Sequence, residues 1–159
     1  MACHRLTAGL LALAAVAGCR LERIPPGAAV DADAIRSVVA AFHESLTADD
    51  YQTFRALFDR DASVVWQGGT PQPVDRFWED FVAWRTQASS PLVGARAVRL
   101  QVRHAGDAGT AWLTSVWTVT RLDEDPKDLE YRAVFLLHRR GERWQVVSLL
   151  LQRRTPQSS

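Results

Sequence analysis

The sequence predicts a single α+β domain in which helices come first and a long antiparallel sheet follows. Two periodicities carry that expectation. Apolar residues recur at spacings of three and four up to about residue 88, and from Leu92 onward they alternate with a period of two. The separators in the second half are hairpin material rather than helix caps. At 159 residues, 47% hydrophobic and with six Trp and six Phe, the chain has the size of one domain and enough apolar mass for a core.

Ile35, Val38, Val39, Phe42 and Leu46 give a first helix over about 33–47, with Asp31 or Asp33 as its cap. Thr47, Ala48, Asp49 and Asp50 resemble a capping box and open a second helix whose apolar side is Tyr51, Phe54, Leu57 and Phe58. Ala62 to Trp66 is a short β-branched run ended by Gly68 and Gly69, hence a strand, and Pro71 and Pro73 exclude regular structure after it. Asp75 starts a third helix lined by Phe77, Phe81, Trp84 and Ala88. Val98 to Arg103, Thr110 to Leu122, Glu130 to Arg139 and Trp144 to Arg153 are the four long strands. Gly106 with Asp107, the acidic stretch around Pro126, and Gly141 with Glu142 supply the turns between them.

The first eighteen residues have the layout of a secretory signal: a basic start at Arg5, an apolar run from Leu6 to Ala17, and small residues at the end. That run is too short to span a bilayer as a helix. Val16, Ala17, Gly18 and Cys19 resemble the lipobox of bacterial lipoproteins, which implies cleavage before Cys19 and its lipidation. Ordinary cleavage after Ala15, Val16 and Ala17 is the alternative. Residues 19–32, with Pro25, Pro26 and Gly27, read as the lipidated cysteine and a tether, and 154–159 as a tail. Residues 20–32 reach about 45 Å when fully extended. Arg20 follows the cysteine where lipoproteins retained at the inner membrane often carry Asp, so the expected location is the outer membrane, facing the periplasm. With Cys3 lost and Cys19 acylated, the exported domain holds neither thiol nor disulfide.

Arg5 is the only charged side chain before Gly18, so its loss leaves 18 basic against 18 acidic residues. A neutral chain with scattered arginines lacks the basic face of a nucleic-acid binder. Arg139, Arg140, Arg143, Arg153 and Arg154 form the one dense basic cluster, and it reads as a solvated hairpin and tail.

Three passages carry a family resemblance. Phe54 to Val65 reads FRALFDRDASVV, Gly106 to Thr120 opens on a Gly-Asp turn and closes on WTVT, and Arg139 to Val147 reads RRGERWQVV. With the order of elements over residues 33–153, they resemble the nuclear transport factor 2-like, SnoaL-like domains. The resemblance implies a cone of three N-terminal helices against a curved antiparallel sheet. It also implies a deep pocket, hosting isomerases, cyclases and dehydratases as well as non-catalytic binding and dimerisation modules.

Proton abstraction beside a carbonyl needs a carboxylate base and oxyanion donors. Aligned through the ALF passage, the base of ketosteroid isomerases falls on Trp66, the oxyanion tyrosine on Phe42, and the second, acidic donor at or next to Val134. None of these side chains does the corresponding chemistry. His43, beside the buried stripe of the first helix, is the weak catalytic candidate that remains. It reads more simply as a packed residue. No cluster of His, Cys, Asp and Glu has metal-ligand spacing, and no cofactor motif occurs. Asp59 and Asp61 read as turn and capping residues.

What the resemblance leaves is an aromatic cavity. Phe42, Trp66, Trp84 and Trp117 are the expected lining, with Arg132 and Val134 of equal parity beside them and Arg132 as the polar anchor. Arg85 and Tyr51 are further rim candidates. Filling of the cone by these same rings is the plainer alternative. Val147, Leu149 and Leu151 are expected to form an apolar row on the outer sheet face, where a homodimer would cover it. The functional expectation is therefore a membrane-tethered, non-catalytic module that binds a small apolar molecule or serves assembly. The competing expectation is a SnoaL-like enzyme acting on a cyclic ketone.

Overall fold

The computed structural model describes residues 28–87, 92–120 and 125–154. The expected signal, Cys19, the first part of the tether, the acidic stretch before Asp125 and the last five residues lie outside the described residues. Three helices pack against one six-stranded sheet of order β2-β1-β6-β5-β4-β3.

Helix α1 spans Ala28–Ala48 and so starts earlier than the apolar stripe alone indicates. Ala28, Ala29, Ala32 and Ala34 have the highest helix propensity. Asp31, expected as a cap, acts instead as a side-chain anchor. It accepts hydrogen bonds from Arg139 Nη1 and from Trp144 Nε1, each at 3.1 Å. The first turn of α1 is thereby fastened to the hairpin between the last two strands, and residues 28–32 belong to the helix and not to the tether.

The chain reverses through Asp49, whose φ is 58°, into α2 (Tyr51–Ala56). Asp50 is the N-cap, accepting from the Thr53 amide at 3.0 Å. Leu57 and Phe58 have already left the helix. Strand β1 (Phe58–Trp66) starts ahead of its β-branched run because Phe58 pairs in parallel with Val146, and the Val146 amide donates to Leu57 O at 2.9 Å. Pro73, expected to exclude regular structure, sits in a two-residue edge strand β2 (Gln72–Pro73) beside Ser63 and Val64. An edge strand tolerates proline because its outer N–H is not needed for a ladder.

Helix α3 (Val74–Gln87) carries Phe77, Phe81 and Trp84 onto the sheet. The four long strands are β3 (Leu92–Ala105), β4 (Ala108–Val119), β5 (Lys127–Arg140) and β6 (Arg143–Arg153), joined as antiparallel neighbours. Gly106 and Gly141 occupy their turns with φ of 56° and 62°. Register shifts after Leu92, Ala97 and Leu136 interrupt the ladders. Such bulges bend and twist a sheet locally, and the sheet curves without closing.

One face of that curve meets the helices. Ala111, Leu113, Ser115 and Trp117 of β4, Tyr131, Ala133, Phe135 and Leu137 of β5, and Leu149 and Leu151 of β6 are buried there. Phe42 of α1 meets Phe135 edge to face, ring centroids 5.3 Å apart. The narrow end is closed at Gly109, where an added Cβ would lie 2.8 Å from Ile35 Cδ1 and 3.0 Å from Trp144 Cζ3. Both neighbours are core side chains, so Gly109→Ala is expected to destabilise the domain by about 1–3 kcal/mol. Urea denaturation checks this, and an unchanged midpoint would show that α1 is free to move away from β4.

Candidate functional site

The wide end of the cone is filled by aromatic rings in mutual contact, the plainer of the two sequence expectations. Trp66, at the end of β1, packs edge to face on Phe77 at 5.4 Å and on Trp84 at 6.2 Å. Phe81 and Trp84 of α3 contact Trp117 of β4 at 6.1 and 6.5 Å. Trp117 is stacked on Tyr131 of the neighbouring strand at 4.2 Å, and both rings are fully buried. The expected lining residues Phe42, Trp66, Trp84 and Trp117 are therefore all on the inner side. At the rim, Trp66, Gln67, Asp80, Ala83 and Trp84 line a shallow, open depression of about 360 Å³.

Polar atoms accompany these rings. Trp66 Nε1, Ser115 Oγ, Trp117 Nε1, the Tyr131 hydroxyl and His43 Nε2 are buried without a hydrogen-bond partner. Gln67 lies near enough to the Tyr131 hydroxyl to influence its ionisation but forms no well-shaped hydrogen bond with it. Burial raises the Tyr131 pKa, opposed by the charge of Arg153 and by Gln67, so the phenol stays protonated and can donate. Ser115 and Tyr131 are direct partners across β4 and β5. The wide end thus concentrates neutral polar groups within an apolar core.

A profile of SnoaL-like domains matches residues 35–151, which covers all but the start of α1 and the last two residues of β6. The chain belongs to the SnoaL-like domain family. No protein of curated function matches it. Its fold is similar to that of a conserved protein from Planctomyces limnophilus, with a TM-score of 0.67 at 19% identity, over 79% of this chain and 99% of that one. A nuclear transport factor 2-like protein of unknown function from Shewanella baltica gives a TM-score of 0.61 at 17% identity, over 80% and 96% of the two chains. A putative calcium/calmodulin-dependent kinase II association domain from Exiguobacterium sibiricum gives 0.64 at 13% identity, over 84% and 99%. At such identities these likenesses concern the fold alone.

The positions that the sequence resemblance set against the isomerase machinery hold Trp66, Phe42 and, facing inward on either side of Val134, Ala133 and Phe135. None supplies a base, and Trp66 alone has a donor. Among the described residues Asp59 is the one buried carboxylate. It belongs to a strand, where it accepts from the Asp61 amide at 3.1 Å and pairs with Arg140 Nε at 2.9 Å. His43, expected near the pocket mouth, is buried beside Phe42, their ring centroids 5.8 Å apart. Burial lowers its pKa to about 4, which keeps the imidazole neutral at pH 7 and makes it a poor proton acceptor.

Other expected residues lie elsewhere. Arg132 and Val134 share a parity, as expected, but it is the opposite one: they project from the outer face, while Tyr131, Ala133 and Phe135 point inward. The run from Tyr131 to Leu137 is apolar at most positions of both parities, so alternation alone does not say which face is buried. Leu149 and Leu151 are inner and not outer, because the bulge at Val147 brings them against Phe135 and Ala133. The rim candidates are used structurally: Arg85 pairs with Asp49 at 2.6 Å and the Tyr51 hydroxyl donates to Asp75 at 2.8 Å. Tyr131 and Ser115 were not singled out from the sequence, although they have the parity of Phe135 and Trp117.

His43 has a measurable signature. Its folded pKa lies below its ordinary 6.5, so the unfolded chain takes up the proton first as pH falls. Its contribution is complete above that value and is lost between pH 6.5 and about 4, by up to about 3 kcal/mol. His43→Leu should therefore lose less stability than the wild type over that window in parallel urea titrations. Equal slopes would mean that the imidazole is solvated.

Proposed function

We propose that this protein is a lipid-anchored component of the cell envelope, tethered through Cys19 and facing the periplasm. Its SnoaL-like domain binds a small, uncharged, largely apolar molecule and does not transform it. The observation that carries this reading is the set of buried donors among the rings of the wide end, which part to form an aromatic chamber when the ligand enters. Leaving a polar group buried without a partner costs about 1–3 kcal/mol. Indole N–H groups only donate. Trp66, Trp117 and Tyr131 are therefore complemented by a flat molecule with carbonyl or ether acceptors, entering beside Trp66 and Trp84. Near the rim Asp80 is paired with Arg76 and Arg85 with Asp49, which favours an uncharged ligand. Among the described residues the buried bases are the desolvated His43 and Asp59, which is paired with Arg140, and this argues against the competing isomerase, cyclase or dehydratase reading.

Assembly through the outer sheet face is a second reading. Trp112, Leu136 and Leu150 are partly exposed there, in place of the expected row of Leu149 and Leu151.

Native mass spectrometry of the full chain purified from its host should find a neutral small molecule. Trp117→Phe with Tyr131→Phe should reduce its occupancy about tenfold or more, given roughly 1 kcal/mol for each hydrogen bond removed. Undiminished occupancy in that double variant would exclude the chamber as the site. Separately, Cys19→Ser should move the protein from the membrane fraction to the soluble fraction, because the acyl chains supply the attachment. An unchanged membrane fraction would remove Cys19 from the account.

A further inference from the structure

We propose that the outer face of the sheet carries a second binding site, for a small amphiphilic anion such as an aryl carboxylate. This site is separate from the aromatic chamber, lying across the sheet from it, and its residues come from three adjacent strands. Arg99 of β3, Thr114 of β4 and Arg132 of β5 form one cross-strand row, and Gln101, Trp112 and Val134 form the next. Together they line a hollow of about 290 Å³.

Charge is the first argument. Among the described residues, neither Arg99, Arg132 nor Arg103 has a carboxylate within salt-bridge distance, whereas Arg96, Arg139, Arg140 and Arg154 are each paired. The nearest acids along the outer face of β5 are engaged, Asp128 with Arg96 and Glu130 with Arg154. The patch therefore holds an unbalanced positive charge on a chain that is otherwise near neutrality. Strands are spaced about 4.8 Å apart, so the Cα atoms of Arg99 and Arg132 stand about 10 Å apart. Two extended guanidinium groups reach a common oxyanion over Thr114 from that separation, each with donors in a planar fork.

The second argument is the surface beside them. Trp112 is 38% exposed and Arg103 lies over its ring at 5.8 Å. Val134 extends the apolar floor. An anion with a flat apolar body satisfies both rows at once, with its charge between the arginines and its body on Trp112. The hollow matches the smallest ligand sites in size, and not a polymer track. A second copy of this chain is the less favourable occupant. A two-fold interface brings the same arginine patch of both copies together, without a free carboxylate in the patch to offset it.

The test is calorimetric titration of the full chain with 2-naphthoate, with its neutral analogue 2-naphthalenemethanol, and with phosphatidylglycerol vesicles. Naphthoate should bind in a salt-sensitive manner and more tightly than the alcohol. Arg99→Gln with Arg132→Gln should weaken it at least tenfold, the equivalent of one lost charge-assisted hydrogen bond. Trp112→Ala should weaken it as well, and Trp117→Phe with Tyr131→Phe should leave it unchanged. Both arginines are exposed, so the melting temperature should hold, and Arg99→Lys with Arg132→Lys should give an intermediate affinity. Four results would overturn the proposal. They are naphthoate binding that survives the arginine replacements, equal binding of the alcohol, binding to vesicles alone, and a dimer that buries Trp112 and takes up no naphthoate. Loss of the chamber's ligand would leave this site standing, and loss of this site would leave the chamber standing.

Discussion

Trp117 and Tyr131, stacked 4.2 Å apart on adjacent strands, fix which side of β4 and β5 faces the helices. Strand side chains alternate, so a single buried pair commits every other residue of both strands. Ser115 and Phe135 then face inward, and Arg132, Val134 and Trp112 face outward. Through cross-strand pairing the same choice passes to Leu149 and Leu151 of β6 and, by the parallel ladder, to Val64 and Trp66 of β1. The helices cover what this parity turns inward, and Phe42 and Phe81 are the rings that seal it.

The two ends of the cone are held by different physics. At the narrow end the contacts are steric and ionic, with Gly109 under Ile35 and Trp144, and Asp31 joining α1 to the last hairpin. At the wide end they are aromatic and carry polar atoms that the protein itself does not satisfy. The proposed ligand binding rests on this contrast between rigid packing at one end and unsatisfied polar groups at the other. Acid–base chemistry has less support, since His43 is neutral and the buried carboxylate belongs to a structural pair with Arg140.

The outer face follows from the same parity but answers to charge. From the sequence Arg132 was expected as an anchor on the inner side, and Arg99 and Arg103 were legible only as scattered basic residues. In the sheet, register assembles Arg99 and Arg132 around Thr114 and sets Arg103 over Trp112. Residues far apart in the chain become one patch because three strands pair side by side, and pairing is a long-range property.

The sequence by itself determined the class of fold, the order of the elements, and most of the inward rings of the helices. Those depend on local periodicity, caps and turn residues, which a few neighbouring positions encode. It did not determine the early start of α1, which rests on Asp31 meeting Arg139 and Trp144 more than a hundred residues away. Nor did it decide the buried face of β5, where Tyr131, Ala133 and Phe135 compete with Val134 and Leu136 in an almost wholly apolar run. Only tertiary packing breaks that tie, because burial belongs to a face of the whole sheet and a bulge at Leu136 shifts the partner strand against it.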